Sequence, residues 1–104
     1  MSEEAKLLIV TNEKDDDGFA VETTKEIPIY VREKSATRSE YYEAMRSGIK
    51  IKTVLETRQE DWELSAHLIG GKKEYASQIK YDGSTYDVTR TYRTGKSLIE
   101  LVCS

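Results

Sequence analysis

Four features of this 104-residue chain are of a type that can do chemistry. One is the sole histidine, His67. A Ser-His-Asp relay needs that ring held between a nucleophile and a carboxylate, and no local spacing here supplies the arrangement. His67 therefore reads as a structural or surface histidine. The sole cysteine, Cys103, is penultimate and ends an alternating apolar pattern, so it reads as a small core residue rather than a nucleophile. One cysteine also excludes an internal disulfide and a cysteine zinc site. The run Asp15-Asp16-Asp17 has the right atoms for Ca²⁺ but the wrong spacing. An EF-hand alternates its ligands and adds a distal Glu between two helices. Finally, Gly70-Gly71-Lys72-Lys73 lacks P-loop spacing, and two lysines are too few for a nucleic-acid signal. The expectation is a non-enzymatic protein that needs no cofactor or metal.

Bulk composition narrows the class further. The chain is 38% hydrophobic and 34% charged, lean for a single domain spanning residues 1–104. Seven tyrosines accompany one tryptophan and one phenylalanine, and tyrosine serves both cores and interfaces. Net charge is −3, unevenly spread: residues 1–26 hold eight acids and three bases, and residues 27–104 hold eleven acids and thirteen bases. No basic patch points to phosphate binding. No signal peptide is evident and no apolar run approaches membrane-spanning length. The expected site of synthesis is a reducing cytoplasm.

The elements that must position these residues are mostly strands. In the last quarter, Ile79 and Tyr81, then Tyr86, Val88 and Tyr92, then Ile99, Leu101 and Cys103 alternate with polar residues. That period of two marks half-buried strands. Asp82-Gly83 is a hairpin signal. A loop there or at Gly83-Ser84 leaves the same apolar set on one face. A two-residue loop around Gly95 adds Ile99, Leu101 and Cys103 to it; a three-residue loop would turn Glu100 inward instead. Upstream, residues 7–11, 27–32 and 49–55 also read as strands, with residues 64–69 as a short one. Pro28 belongs at a strand start, an edge or a bulge. Thr37-Arg38-Ser39-Glu40 is a capping box opening a helix of about residues 38–47, with Tyr41, Ala44 and Met45 on one stripe and Gly48 at its end. Trp62 is either a core plug or an exposed anchor. The fold class predicted is mainly β: a small antiparallel barrel or curled sheet of about six strands, covered by one helix.

The order of these pieces resembles a known family, the small head–tail connector (head-closure, adaptor) proteins of long-tailed bacteriophages. The resemblance runs from residue 27 onward. It rests on the strand entering a helix (IPIYVREKSATRSEYYEA), the acidic aromatic piece Glu60-Asp61-Trp62, the hairpin IKYDGSTYDVTRTY and the acidic-aliphatic last strand Leu98-Ile99-Glu100-Leu101-Val102. It implies a barrel with long mobile loops and no fixed catalytic residues. It implies a ring of copies between the portal or its adaptor and the tail-completion or tail-tube protein, in the virion. Such a ring lets double-stranded DNA pass without sequence-specific binding. The stretches expected to meet partners are residues 12–26 and 56–75, the longest without a clear pattern. They carry Asp15, Asp16, Asp17, Phe19, Trp62, Lys72, Lys73 and Tyr75. Two other readings remain open: a tail-completion or neck protein of similar fold, and a cellular β-barrel adaptor domain binding a peptide or nucleic acid.

Overall fold

The structure is a computed structural model that describes residues 2–34, 46, 48 and 51–104. Along the chain come β1 (Glu3–Lys14), β2 (Ala20–Lys34), β3 (Thr53–Arg58), the short helix α1 (Gln59–Glu63), β4 (His67–Ile69), β5 (Lys72–Glu74), β6 (Gln78–Tyr81), β7 (Ser84–Thr94) and β8 (Leu98–Cys103). Six of the strands close into one antiparallel barrel in the order β1-β2-β3-β8-β7-β6, and β4 with β5 forms a separate hairpin. The mainly β barrel read from the sequence is thus observed. The helix expected over residues 38–47 lies outside the described residues, apart from Arg46, which is helical and exposed.

Alternation fills the barrel. Ala5, Leu7 and Ile9 of β1 point inward with Ile27, Ile29 and Val31 of β2, Leu55 of β3, Ile79 of β6 and Ile99, Leu101 and Cys103 of β8. Tyr81, Tyr86 and Val88 pack against this cluster from its margin. Closure pairs the sheet's first and last strands, which removes the open edges of the barrel section.

The meander follows the sequence pattern with one correction. Ile79 stands opposite Tyr86 across the two-residue loop Asp82-Gly83. Both loop residues have positive φ, 49° and 76°, as a type I′ turn demands. The next loop holds three residues rather than two, since Thr94 pairs with Leu98. Glu100 nonetheless stays off the core face. A β-bulge between Val88 and Arg90 absorbs one residue of β7, and the Thr89 hydroxyl donates to the Val102 carbonyl at 3.1 Å. Val88 therefore meets Cys103, while Tyr92 meets Glu100 on the other side of the ladder from Ile99 and Leu101. Tyr92 is thereby removed from the apolar set in which its spacing had placed it.

The two stretches without a clear pattern are built as hairpins and a helix. β1 and β2 stay paired from Glu3↔Val31 out to Lys14↔Ala20, so residues 12–26 form most of a β-ribbon whose turn is only residues 15–19. β6 pairs with β1 only through Ala5 to Leu8, and β3 pairs with β2 only through Arg32 to Lys34. Beyond Val10 and before Ile27 the ribbon leaves the barrel as an arm, and residues 12–26 are exposed throughout. The strand expected over residues 49–55 begins later, at Thr53, and runs to Arg58. Within residues 56–75, Gly70 and Gly71, at φ 59° and 80°, turn β4 into β5.

Candidate functional site

The strand directions put the arm, the short helix and the small hairpin, among the described residues, at one end of the barrel. β2 enters from the arm at Glu26 and leaves at Lys34, so the antiparallel β3 ends beside the arm at Arg58. β8 begins there at Leu98, opposite Arg58. The arm, α1, the β4–β5 hairpin and the β7–β8 turn therefore share this end. The Asp82-Gly83 turn and Ser104 lie at the other.

The arm tip is organised by Asp15. Its carboxylate accepts the backbone N–H groups of Asp17 at 3.0 Å and Phe19 at 2.8 Å. This Asx-type turn suits a short acidic side chain. Asp16 and Asp17 play no such role, and among the described residues their carboxylates make no hydrogen bond or ion pair. Phe19 beside them is 71% exposed. Val21, 43% exposed, lies opposite Glu13 on the face that lower down carries Ile9 and Ile27. The arm, taken as residues 11–26, has six acids and two bases, a net −4 against −3 for the whole chain.

Trp62 closes the barrel end. It sits on α1, is buried in the core cluster and stacks on Tyr75 with centroids 5.4 Å apart and planes at 12°. Its neighbour Glu63 joins three elements. The Glu63 carboxylate accepts from the Tyr75 hydroxyl at 3.1 Å and pairs with Lys73 at 3.3 Å and Arg93 at 3.2 Å. Partial burial pushes the Glu63 carboxyl upward, but the Lys73 and Tyr75 hydrogen bonds and the Lys73 and Arg93 charges outweigh it, so its pKa is lowered. Lys73 is raised in turn, by the Tyr75 hydroxyl and by Glu63, and its ammonium lies over the Tyr75 ring. Ser65 anchors the following turn: its hydroxyl donates to the Trp62 carbonyl at 2.8 Å and accepts the Ala76 N–H at 3.1 Å.

Of the residues expected at partner contacts, Trp62, Lys73 and Tyr75 thus come together around Glu63, with Trp62 facing the core. Asp15, Asp16, Asp17 and Phe19 come together on the arm. Lys72 is exposed on β5 beside Lys73. Sequence reasoning missed Glu63 and Arg93, which lie 30 residues apart and meet only once the barrel closes. It also missed Leu64, Leu68 and Ile69, which are 60%, 73% and 55% exposed. Their only local sign is an apolar pair just before Gly70-Gly71.

Two crevices open at this end. One, of about 440 Å³, is lined by Arg58, Gln59, Glu60, Lys96, Ser97 and Leu98. The other, of about 180 Å³, lies between the arm base and the β4–β5 hairpin, with Ile9, His67, Ile69 and Tyr75 on its walls. The His67 Nδ1–H donates to the Ser65 carbonyl at 2.8 Å. Cys103 is fully buried among the strands, and burial pushes its thiol up to about 12. A thiol so protonated is a poor nucleophile.

A second charged network ties β2, β3 and β8 on the barrel's outer face. Glu56, only 3% exposed at its side chain, takes the Arg32 guanidinium and the Lys34 ammonium, the latter at 3.2 Å. Lys34 also reaches Glu100 at 2.7 Å. The hydrogen bonds to Glu100 and then Glu56 hold the Lys34 pKa above its ordinary value. Near the start of β1, Tyr81 donates to Glu3, and that bond, with partial burial, raises the phenol. Among the described residues no cluster of three or more His, Cys, Asp or Glu could hold a metal. The chain matches no protein-family model, and no curated protein or solved structure matches it.

Proposed function

We propose that the chain is a structural subunit of a long-tailed bacteriophage particle, a head–tail connector that assembles as a ring between the portal, or its adaptor, and the tail. The observation that carries the reading is a division of labour within one small domain. The barrel is filled by its own side chains, while an acidic ribbon stands clear of it with every residue from 12 to 26 exposed. A ring subunit needs a rigid body and a projecting surface that meets different neighbours. The quoted connector-like motifs from residue 27 onward support the same assignment, and they fall mainly on barrel strands. An acidic arm repels phosphates rather than gripping them, which suits a ring through which DNA must slide. The role needs binding and no catalysis.

One feature favours a rival reading. Beyond Leu8 and before Arg32, the arm strands have outer edges that no described strand pairs. Such edges can accept an extended peptide by strand addition, as in cellular adaptor domains. Portal, capsid and tail genes beside this one favour the connector; their absence favours the adaptor. The direct test is electron microscopy of phage particles from the source strain, labelled with an antibody to this chain. Label at the neck is the expected result. Label along the tail moves the subunit to a tail-completion role, and particles without label overturn the phage assignment.

A further inference from the structure

The arm is unusual for what it leaves uncovered. A two-stranded hairpin is marginally stable in water on its own, yet this one carries Phe19 and Val21 into solvent. Asp16 and Asp17 beside them are free of any partner among the described residues. A ribbon so built invites coverage, and its charge restricts what can cover it. With the arm at −4 and the chain at −3, the remainder is +1. Arm against arm is repulsive; arm against body is attractive.

A crevice of the body has matching chemistry. The 440 Å³ cleft at the junction of β3 and α1 with the β7–β8 turn has the half-buried Leu98 in its lining and two cations, Arg58 and Lys96. Arg58 is loosely paired with Glu60 at 3.6 Å, both side chains largely exposed, and Lys96 has no ion pair among the described residues. An aromatic ring flanked by two spare carboxylates fits a cleft that offers the Leu98 side chain and two cations, with Glu60 the one acid in its lining. The arm leads away from its own barrel, so the cleft it enters belongs to another molecule. A standard protein interface engages about 20–30 residues a side; sixteen arm residues supply most of that.

We infer that the arm tip of one copy, Phe19 with Asp16 and Asp17, docks into the Arg58–Lys96–Leu98 cleft of a second copy. The contact is heterologous, arm on body, and propagates to a ring if the rotation between copies closes. It deepens the ring-subunit reading by naming the surfaces that meet, and it rests on that reading for the presence of a second copy.

Sedimentation of the intact chain at low and high salt, with a photo-crosslinker at position 19, tests this. All the substitutions are at exposed surface positions, and circular dichroism checks that each variant is folded. The wild type is expected to associate at low salt, with crosslinks mapping to the segment around residues 96–98. Reversing the arm (Asp16→Lys with Asp17→Lys) or the cleft (Lys96→Glu with Arg58→Glu) is expected to weaken association at least about tenfold. Mixing the two reversed variants is expected to bring it back. A wild type that stays monomeric at low salt overturns the proposal, as do crosslinks to the neighbour's arm or to the outer β1–β6 surface. So does an equimolar mixture that stays as weak as either variant alone. Neck label on particles combined with any of these results keeps the connector reading and discards this contact; association with the expected crosslinks but no particle label does the reverse.

Discussion

Trp62 carries more of the barrel's closure than any other side chain on α1, because it alone reaches the core from a five-residue helix. Its indole also gives Tyr75 a surface to stack on, which in turn aims the Tyr75 hydroxyl at Glu63. Trp62→Ala removes both and is expected to cost about 3–5 kcal/mol, a large share of the roughly 5–15 kcal/mol typical of small domains. Chemical denaturation followed through tyrosine fluorescence would measure it. Lys34 poses a different risk. It neutralises Glu56, almost fully buried, and Glu100 at once. Lys34→Met leaves Glu56 with Arg32 only and Glu100 with no cation among the described residues. Solvent screening at the part-exposed Lys34 limits the loss, and the expected result is a melting temperature lower than that of the wild type by several degrees. Glu63 gives a pH signature. Its folded pKa lies below the ordinary value of 4.5, so ionised Glu63 stabilises the fold above that value and the benefit fades as pH falls through the folded one. Melting temperature followed between about pH 6 and pH 3 should fall less steeply in Glu63→Gln than in the wild type. Equal slopes would remove Glu63 from the acid limb.

At the scale of elements, legibility tracked burial. The meander could be read because the buried Ile79, and then Ile99, Leu101 and Cys103 at every second position, share the core face, and a period of two is visible only where one face is apolar. The arm hides its first strand for the same reason: with every residue from 12 to 18 solvated, Asn12, Glu13 and Lys14 show no alternation and the charged run resembles a loop, whereas Phe19 and Val21 still mark residues 19–26 as loosely alternating. The bulge at Thr89 left no mark at all. Its effect is to cancel the extra residue in the β7–β8 turn, and two compensating one-residue steps are silent in a pattern that ends up in phase. The Glu63 cluster was illegible because Glu63 on α1 meets Lys73 on β5, Tyr75 in the turn before β6 and Arg93 on β7, none of them its sequence neighbour. The arm's independence gives a test at this scale. Val10 and Thr24 stand directly opposite each other, so Asn-Gly can replace residues 11–23 as a type I′ turn. The shortened domain is expected to melt within a few degrees of the full chain, since residues 12–26 bury nothing in the barrel. A loss above about 3 kcal/mol would show that the arm helps hold the barrel together.

For the whole molecule the arm decides shape and charge together. A compact chain of this length has a radius of gyration of about 13 Å, whereas this one measures 14.9 Å with extents of 50 × 30 × 30 Å. The excess lies along one axis, as a barrel with a protruding ribbon requires. The replaced segment, residues 11–23, holds five acids and one base. Its removal takes the formal net charge from −3 to +1. The same shortened variant should therefore scatter X-rays with a radius of gyration near about 12 Å and, unlike the wild type, pass an anion exchanger at neutral pH. These two readouts are linked only if the ribbon stands clear in solution. An arm folded back on its own barrel would give a wild-type radius already at about 13 Å, with the charge change unaltered. Scattering thus reports whether the acidic tip is presented to a second molecule, and that presentation is the condition on which every proposed contact of this subunit depends.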